Sequence, residues 1–144
     1  MQFIKVRHKD VISCDQAAQA RGIKLKQELK TILLHFNEIK VAVHIRGCDK
    51  VNFRSIKKLF KCRNIKFLSQ DKLLLYNLSP GKINPWNIDF CEYHLVCLLV
   101  LSNSFVATNN SKLSEGIIFR PHLLLGLPNL IIGKFAYERK KASN

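Results

Sequence analysis

Acidic residues are scarce in this chain. Asp and Glu number 10 against 24 Lys and Arg over 144 residues, a formal net charge of +14. An imbalance of that size points to a polyanionic partner. Long apolar runs are also missing. The most apolar stretch, Leu95 to Leu101, is far too short to span a bilayer. The opening Met1-Gln2-Phe3-Ile4-Lys5-Val6-Arg7-His8 has no apolar signal-peptide core. A nucleic acid in the cytoplasm, with no membrane, is therefore the expected partner. Paired cysteine spacing is absent: Cys14, Cys48, Cys62, Cys91 and Cys97 are odd in number and form no C-x-x-C, which fits a reducing compartment. No G-x-S-x-G elbow, H-E-x-x-H pair or glycine-rich phosphate loop occurs, which removes the sequence signatures of those three chemistries. No linker-like tract, low-complexity segment or internal repeat divides the chain, so one domain over 1–144 is expected, with 136–144 as a frayed basic tail.

Hydrophobic residues at 47% and charged residues at 24% mark a chain that folds around a core. Cys91-x-x-His94-x-x-Cys97 spaces three residues of metal-ligand type. On a helix they would share a face; on a strand His94 points away from both cysteines. The run that follows reads as a buried strand and no fourth ligand is near, so no metal centre and no cofactor are expected.

The stretch that organises the chain is Ser79-Pro80-Gly81-Lys82-Ile83-Asn84-Pro85-Trp86. Pro80-Gly81 reads as a tight turn, and Pro85 pushes Asn84 into extended backbone. The loop either turns a corner or leaves the amides from Gly81 to Asn84 free to face a carbonyl, carboxylate or phosphate. Trp86, the single tryptophan, suits core packing or a stacked base.

Around this loop the pattern is mixed α and β. Residues 2–7 read as an edge strand. Ser13 and Gln16 match a capping box that opens a helix from Cys14 to Arg21, ended by Gly22. The alanines of that helix suit close packing or a pocket floor. Leu29 to His35 reads as a strand covered on both faces. Its Lys30 lies on the face of Ile32 and Leu34, so the ammonium either meets an anion at a cavity mouth or snorkels from a frayed end. Lys40 to Ile45 alternates as a half-buried strand. A turn at Arg46-Gly47-Cys48-Asp49 precedes a helix from Phe53 to Cys62 capped by Asn52, with Phe53, Ile56 and Phe60 as its buried stripe. Arg54, Lys57, Lys58 and Lys61 line its other side, continued by Arg63 and Lys66. No acids intersperse them at i+4, and such a face is either solvated or tracks phosphates. A short strand at Ile65 to Leu68 and a helix from Ser69 to Tyr76 follow. Leu95 to Leu101 and Phe105 to Thr108 read as a hairpin closed by Ser102-Asn103-Ser104. Thr108 to Lys112 reads as a polar turn, Ile117 to Phe119 as a strand, Pro121 as N1 of a short helix through Leu125, and Asn129 to Ile132 as a last strand.

This order of pieces resembles the YbaK family of aminoacyl-tRNA editing domains, also found inserted in bacterial prolyl-tRNA synthetases. The likeness rests on Asp15-Gln16-Ala17-Ala18, Leu29-Lys30-Thr31-Ile32-Leu33, Arg46-Gly47-Cys48-Asp49-Lys50-Val51-Asn52 with the Ile56-Lys57-Lys58-Leu59 helix, and the G-x-x-x-P loop Gly81-Lys82-Ile83-Asn84-Pro85. It runs from about residue 8 to 125. Residues 91–97 and 108–111 depart from the pattern, and His94 and His122 both compete for the place of a histidine many members carry late in the chain. The resemblance implies a mixed sheet curled into a partial barrel with helices outside. It implies hydrolysis, in trans, of the ester joining a wrong small amino acid to tRNA-Pro or a related tRNA. Lys30 and Gly81 would serve the reaction, with Thr31, Lys82, Ile83, Asn84, Pro85 and His94 contacting the aminoacyl end and Arg54, Lys57, Lys58 and Lys61 the RNA. The rival reading is a non-catalytic tRNA-binding or synthetase-associated module on the same scaffold.

Overall fold

The structure, a computed structural model, describes residues 2–139. Local chemistry sets the helix ends. Ser13 Oγ accepts from the Gln16 amide and the Gln16 side chain returns a bond to the Ser13 amide, opening α1 (Cys14–Arg21); Gly22 closes it at φ 69°. Asn52 caps α2 (Phe53–Phe60) and Ser69 caps α3 (Gln70–Leu75). The second helix ends two residues earlier than the sequence suggests, because Lys61 turns left-handed at φ 52°.

Among the described residues, ten strands form three sheets. The largest has the order β5-β2-β3-β6-β9, built from β2 (Leu29–Phe36), β3 (Ile39–Arg46), β5 (Lys66–Phe67), β6 (Tyr93–Cys97) and β9 (Leu130–Gly133). It is mixed: β2 runs antiparallel to β3 and β5, while β3, β6 and β9 are parallel. A second sheet places β1 (Phe3–Arg7) at the edge of β8 (Glu115–Phe119), whose other neighbour is β7 (Val106–Lys112). A lone bridge from Glu28 to Ala107 links this sheet to the start of β2. The third pairs β4 (Asp49–Val51) with β10 (Ala136–Glu138). The sheets curl around the core without closing a barrel.

The core lies on both faces of the β2-β3-β6 centre. One face packs Leu34, Val41, Val43, Ile45 and Leu95 with Ile56 of α2. The other packs Leu33 and Ala42 against Leu68, Leu78 and Ile88. Strand β3 is therefore buried from Val41 through Ile45 rather than half-buried, since Ala42 and His44 also meet a covering layer.

Other departures have similar causes. The expected hairpin between Leu95–Leu101 and Phe105–Thr108 does not form. Strand β6 is the buried parallel neighbour of β3 and β9, and a parallel strand requires a crossover connection. That connection begins with the helical turn α4 (Leu98–Leu101). The polar segment Thr108–Lys112 belongs to β7, its ladder interrupted between Asn109 and Lys112, with Ser111 at φ 64°. Of the expected frayed tail, Ala136–Glu138 is ordered as β10 because Ala136 and Val51 pair over the core; 140–144 fall outside the described residues.

Candidate active site

Strand β5 pairs only with Leu34 and His35, so the first half of β2 has no strand beside it there. A cavity of about 480 Å³ occupies that gap, within the usual range for small-molecule sites. Strand β2 supplies Leu29 to Leu33 to its wall, with Glu28 just before it, α1 supplies Cys14, Ala17 and Arg21, and β7 supplies Thr108 and Asn109. Phe67, Pro80, Gly81, Ile83 and Arg139 complete much of the rim.

Of the residues singled out in the sequence, Lys30, Thr31, Gly81 and Ile83 line this cavity. Lys82, Asn84, Pro85 and His94 are not among its lining residues. Arg54, Lys57 and Lys58 of α2 and Lys61 at its end lie elsewhere on the surface, Arg54, Lys58 and Lys61 exposed and Lys57 half-buried. That helix approaches the cavity through Phe53, which packs edge-on against the rim residue Phe67 at 5.3 Å. His122 is exposed and lines a separate, larger apolar depression of about 1010 Å³ with Ile4, Phe105 and Leu123. Trp86 packs edge-on against Phe3 and Phe119, with its centroid 5.5 and 5.1 Å from theirs.

The Ser79–Trp86 loop is a braced turn. The Lys82 amide donates to the Ser79 carbonyl at 3.1 Å, and Gly81 sits at φ 84°. A Cβ there would stand 2.7 Å from Leu113 Cδ2. Asn84 is not a ligand-facing group but a brace. Its Nδ2 donates to Ser111 Oγ at 3.1 Å and to the Asn109 carbonyl at 3.3 Å, while Asn109 Nδ2 donates to the Ile83 carbonyl at 2.6 Å. The Asn84 amide is taken by Asn87 Oδ1 at 2.9 Å. Two of the four amides from Gly81 to Asn84 are thus consumed, and those of Gly81 and Ile83 have no partner among the described residues.

Lys30 Nζ donates to the Asp49 carbonyl at 2.8 Å. Asp49 itself is fixed by a fork from Arg46, Nε to Oδ2 at 2.7 Å and Nη2 to Oδ1 at 3.0 Å. An ammonium has three donors, so this anchor leaves capacity for an anion. Gly47 admits the close approach of β2 to the turn: its amide donates to the Glu28 carbonyl at 2.7 Å, and a Cβ would meet the Leu25 carbonyl oxygen at 2.9 Å.

Behind Thr31 runs a buried polar chain. Thr31 Oγ1 lies 2.8 Å from His44 Nδ1, and His44 Nε2 lies 2.9 Å from His94 Nδ1. Burial pushes His44 down to about 3 and lowers His94, so both rings are neutral at pH 7. Each neutral ring has one donor and one acceptor, so the two bonds run in one direction along the chain and the tautomer sets whether Thr31 Oγ1 donates or accepts. Cys14 is no thiolate nucleophile, because burial, helped by Glu28, raises it to about 11. Among the described residues no group of three or more Cys, His, Asp or Glu side chains could hold a metal; Cys91, His94 and Cys97 do not form one. No helix of the described residues is long and apolar enough to cross a membrane.

Sequence reasoning missed Arg21, Glu28, Asn109 and Arg139 as cavity residues. Their signal lies in tertiary pairing, since Arg21 Nη1 meets Glu28 Oε1 at 2.6 Å from another element and Arg139 arrives through β10.

Comparison with curated proteins yields no match. Among solved structures, the fold is similar to that of a hypothetical protein, APE2540, at TM-score 0.85 and 17% identity, covering 95% of this chain and 93% of that one. It is also similar to "a putative trans-editing enzyme for prolyl tRNA synthetase", at TM-score 0.83 and 13% identity, covering 94% and 87%. Residues 8–99 match the aminoacyl-tRNA editing domain. This chain belongs to the aminoacyl-tRNA editing domain family, the YbaK family that its motifs resemble.

Proposed function

We propose that the protein is a cytoplasmic, trans-acting aminoacyl-tRNA deacylase that hydrolyses the ester of a small amino acid wrongly attached to tRNA-Pro or a related tRNA. The observation that carries this reading is the shared cavity of Lys30 and Gly81, beside two loop amides that have no internal acceptor. Gly81 and Ile83 are backbone donors on a rigid turn, suited to an ester carbonyl whose oxygen gains charge during attack. Lys30 is anchored by one hydrogen bond and offers the others to the terminal phosphate or ribose. An aminoacyl ester is already activated, so placing water and polarising the carbonyl suffices without a side-chain nucleophile. The vicinal ribose hydroxyl assists the water in the family that the motifs resemble. Arg54, Lys57, Lys58 and Lys61 form the surface for the tRNA backbone.

The test is incubation with tRNAs charged with labelled alanine, serine, threonine or cysteine. Release of label from one set supports the deacylase. Salt-sensitive tRNA binding with no release supports the non-catalytic or synthetase-associated module instead.

A further inference from the structure

Among the described residues a single buried side-chain oxygen or nitrogen has no hydrogen-bond partner, Oε2 of Glu28. Glu28 is 2% exposed and lines the cavity two residues before Lys30. Its Oε1 takes Arg21 Nη1 at 2.6 Å, while Arg21 Nε is committed to His8 Nε2 at 3.2 Å. A carboxylate that serves only to pair an arginine normally gives both oxygens, as Asp49 does to Arg46 in this same molecule. Glu28 gives one. A buried carboxylate oxygen left without a donor is costly and calls for an explanation. Burial also raises the Glu28 carboxyl to about 7 despite Arg21.

The ligand class follows from the neighbours. Lys30 and Arg139 suit an anion, and the free amides of Gly81 and Ile83 suit an ester carbonyl. An aminoacyl ester carries one further obligatory group, the α-ammonium, which needs acceptors. Resting on the deacylase reading, we propose that Glu28 Oε2 binds the α-ammonium of the aminoacyl group and so makes the cavity selective for a free amine beside the ester. Glu28, in extended backbone immediately before β2, and Lys30 are two residues apart, about 7 Å along the chain, which lets one ligand span them, amine at one end and ribose at the other.

The experiment compares amine with near-isosteric hydroxyl. Alanyl and lactyl, and seryl and glyceryl, groups are placed on tRNA for turnover, and on 3′-amino-3′-deoxyadenosine as stable amides for binding. Wild type is expected to favour the amine of a pair by about 10-fold or more in both readouts, the worth of a charge-assisted hydrogen bond. Glu28→Gln, which keeps an oxygen for Arg21, should bring the preference to within about 3-fold, and Glu28→Asp should retain it. A purely structural role would lower both members of a pair equally. Equal treatment of amine and hydroxyl by wild type, failure of both amides to bind, or a preference undiminished in Glu28→Gln overturns the proposal. The wild-type comparison decides even where a variant fails to fold. Turnover of both members alike leaves the deacylase reading standing and removes this one; selective amide binding with no tRNA turnover does the reverse.

Discussion

The ammonium of Lys30 lies 2.8 Å from the carbonyl oxygen of Asp49, a neutral acceptor whose own side chain is clamped by Arg46. The lysine is thereby held at the cavity with its charge unneutralised. Its cost on a face shared with Ile32 and Leu34 is lessened by half-exposure at the cavity.

Lys30→Ala should therefore leave the fold intact and lower kcat/KM for deacylation by about 10²-fold or more. Turnover of charged tRNA and a urea titration check the two parts separately. Unchanged turnover would reject the role given to Lys30.

Gly81→Ala should cost about 1–2 kcal/mol, since φ 84° is strained for any residue with a Cβ and the new atom would stand 2.7 Å from Leu113 Cδ2. Stability by denaturant unfolding should fall by that amount. Turnover should fall further than stability, because relief of the strain rotates the Gly81 and Ile83 amides.

Gly116 lies where a Cβ would strike the Arg21 guanidinium. Gly116→Ala should push Arg21 off Glu28 and leave a buried charge unpaired, a loss of about 3–5 kcal/mol. Chemical denaturation measures it. A change below about 1 kcal/mol would mean that the pair contributes little.

Stability should depend on pH through two buried groups of opposite sign. His44 is held to about 3 against an ordinary 6.5, so between these values the unfolded chain binds the extra proton and stability rises with pH. His94 acts in the same direction. Glu28 is raised to about 7 from 4.5, so across that window the folded chain holds the proton and stability falls as pH rises. From about pH 4.5 to 6.5 the carboxyl opposes the histidines, each full shift sloping by about 1.4 kcal/mol per pH unit. Glu28→Gln should steepen the loss of stability on acidification in that window, and His44→Gln should flatten it. Urea midpoints from pH 4 to 7 provide the measurement.

What the sequence made legible was local. The Ser13–Gln16 capping box, the Gly22 stop, the Asn52 and Ser69 caps and the Pro80-Gly81 turn depend on residues within four positions of one another, and all form. The family resemblance added the order of the larger pieces. Strand partners were less readable. The apolar run after Tyr93 suits a buried strand in any sheet, and only the crossover shows that β6 lies between β3 and β9. The polar run Thr108–Ser111 looks like a turn, and only the tertiary structure shows Asn109 bonded to Asn84 and Ile83, 25 and 26 residues away. Glu28 was illegible for a similar reason: nothing beside it reveals that Arg21 would take only one of its oxygens.

The most direct measurement follows the backbone amides of labelled protein by NMR as a stable 3′-aminoacylamino-3′-deoxyadenosine is added. The account predicts that the Gly81 and Ile83 amide protons move downfield together as hydrogen bonds form, with loss of the shift in Lys30→Ala. Binding that leaves both amides unmoved, or shifts confined to the basic helix from Phe53 to Phe60, would contradict it.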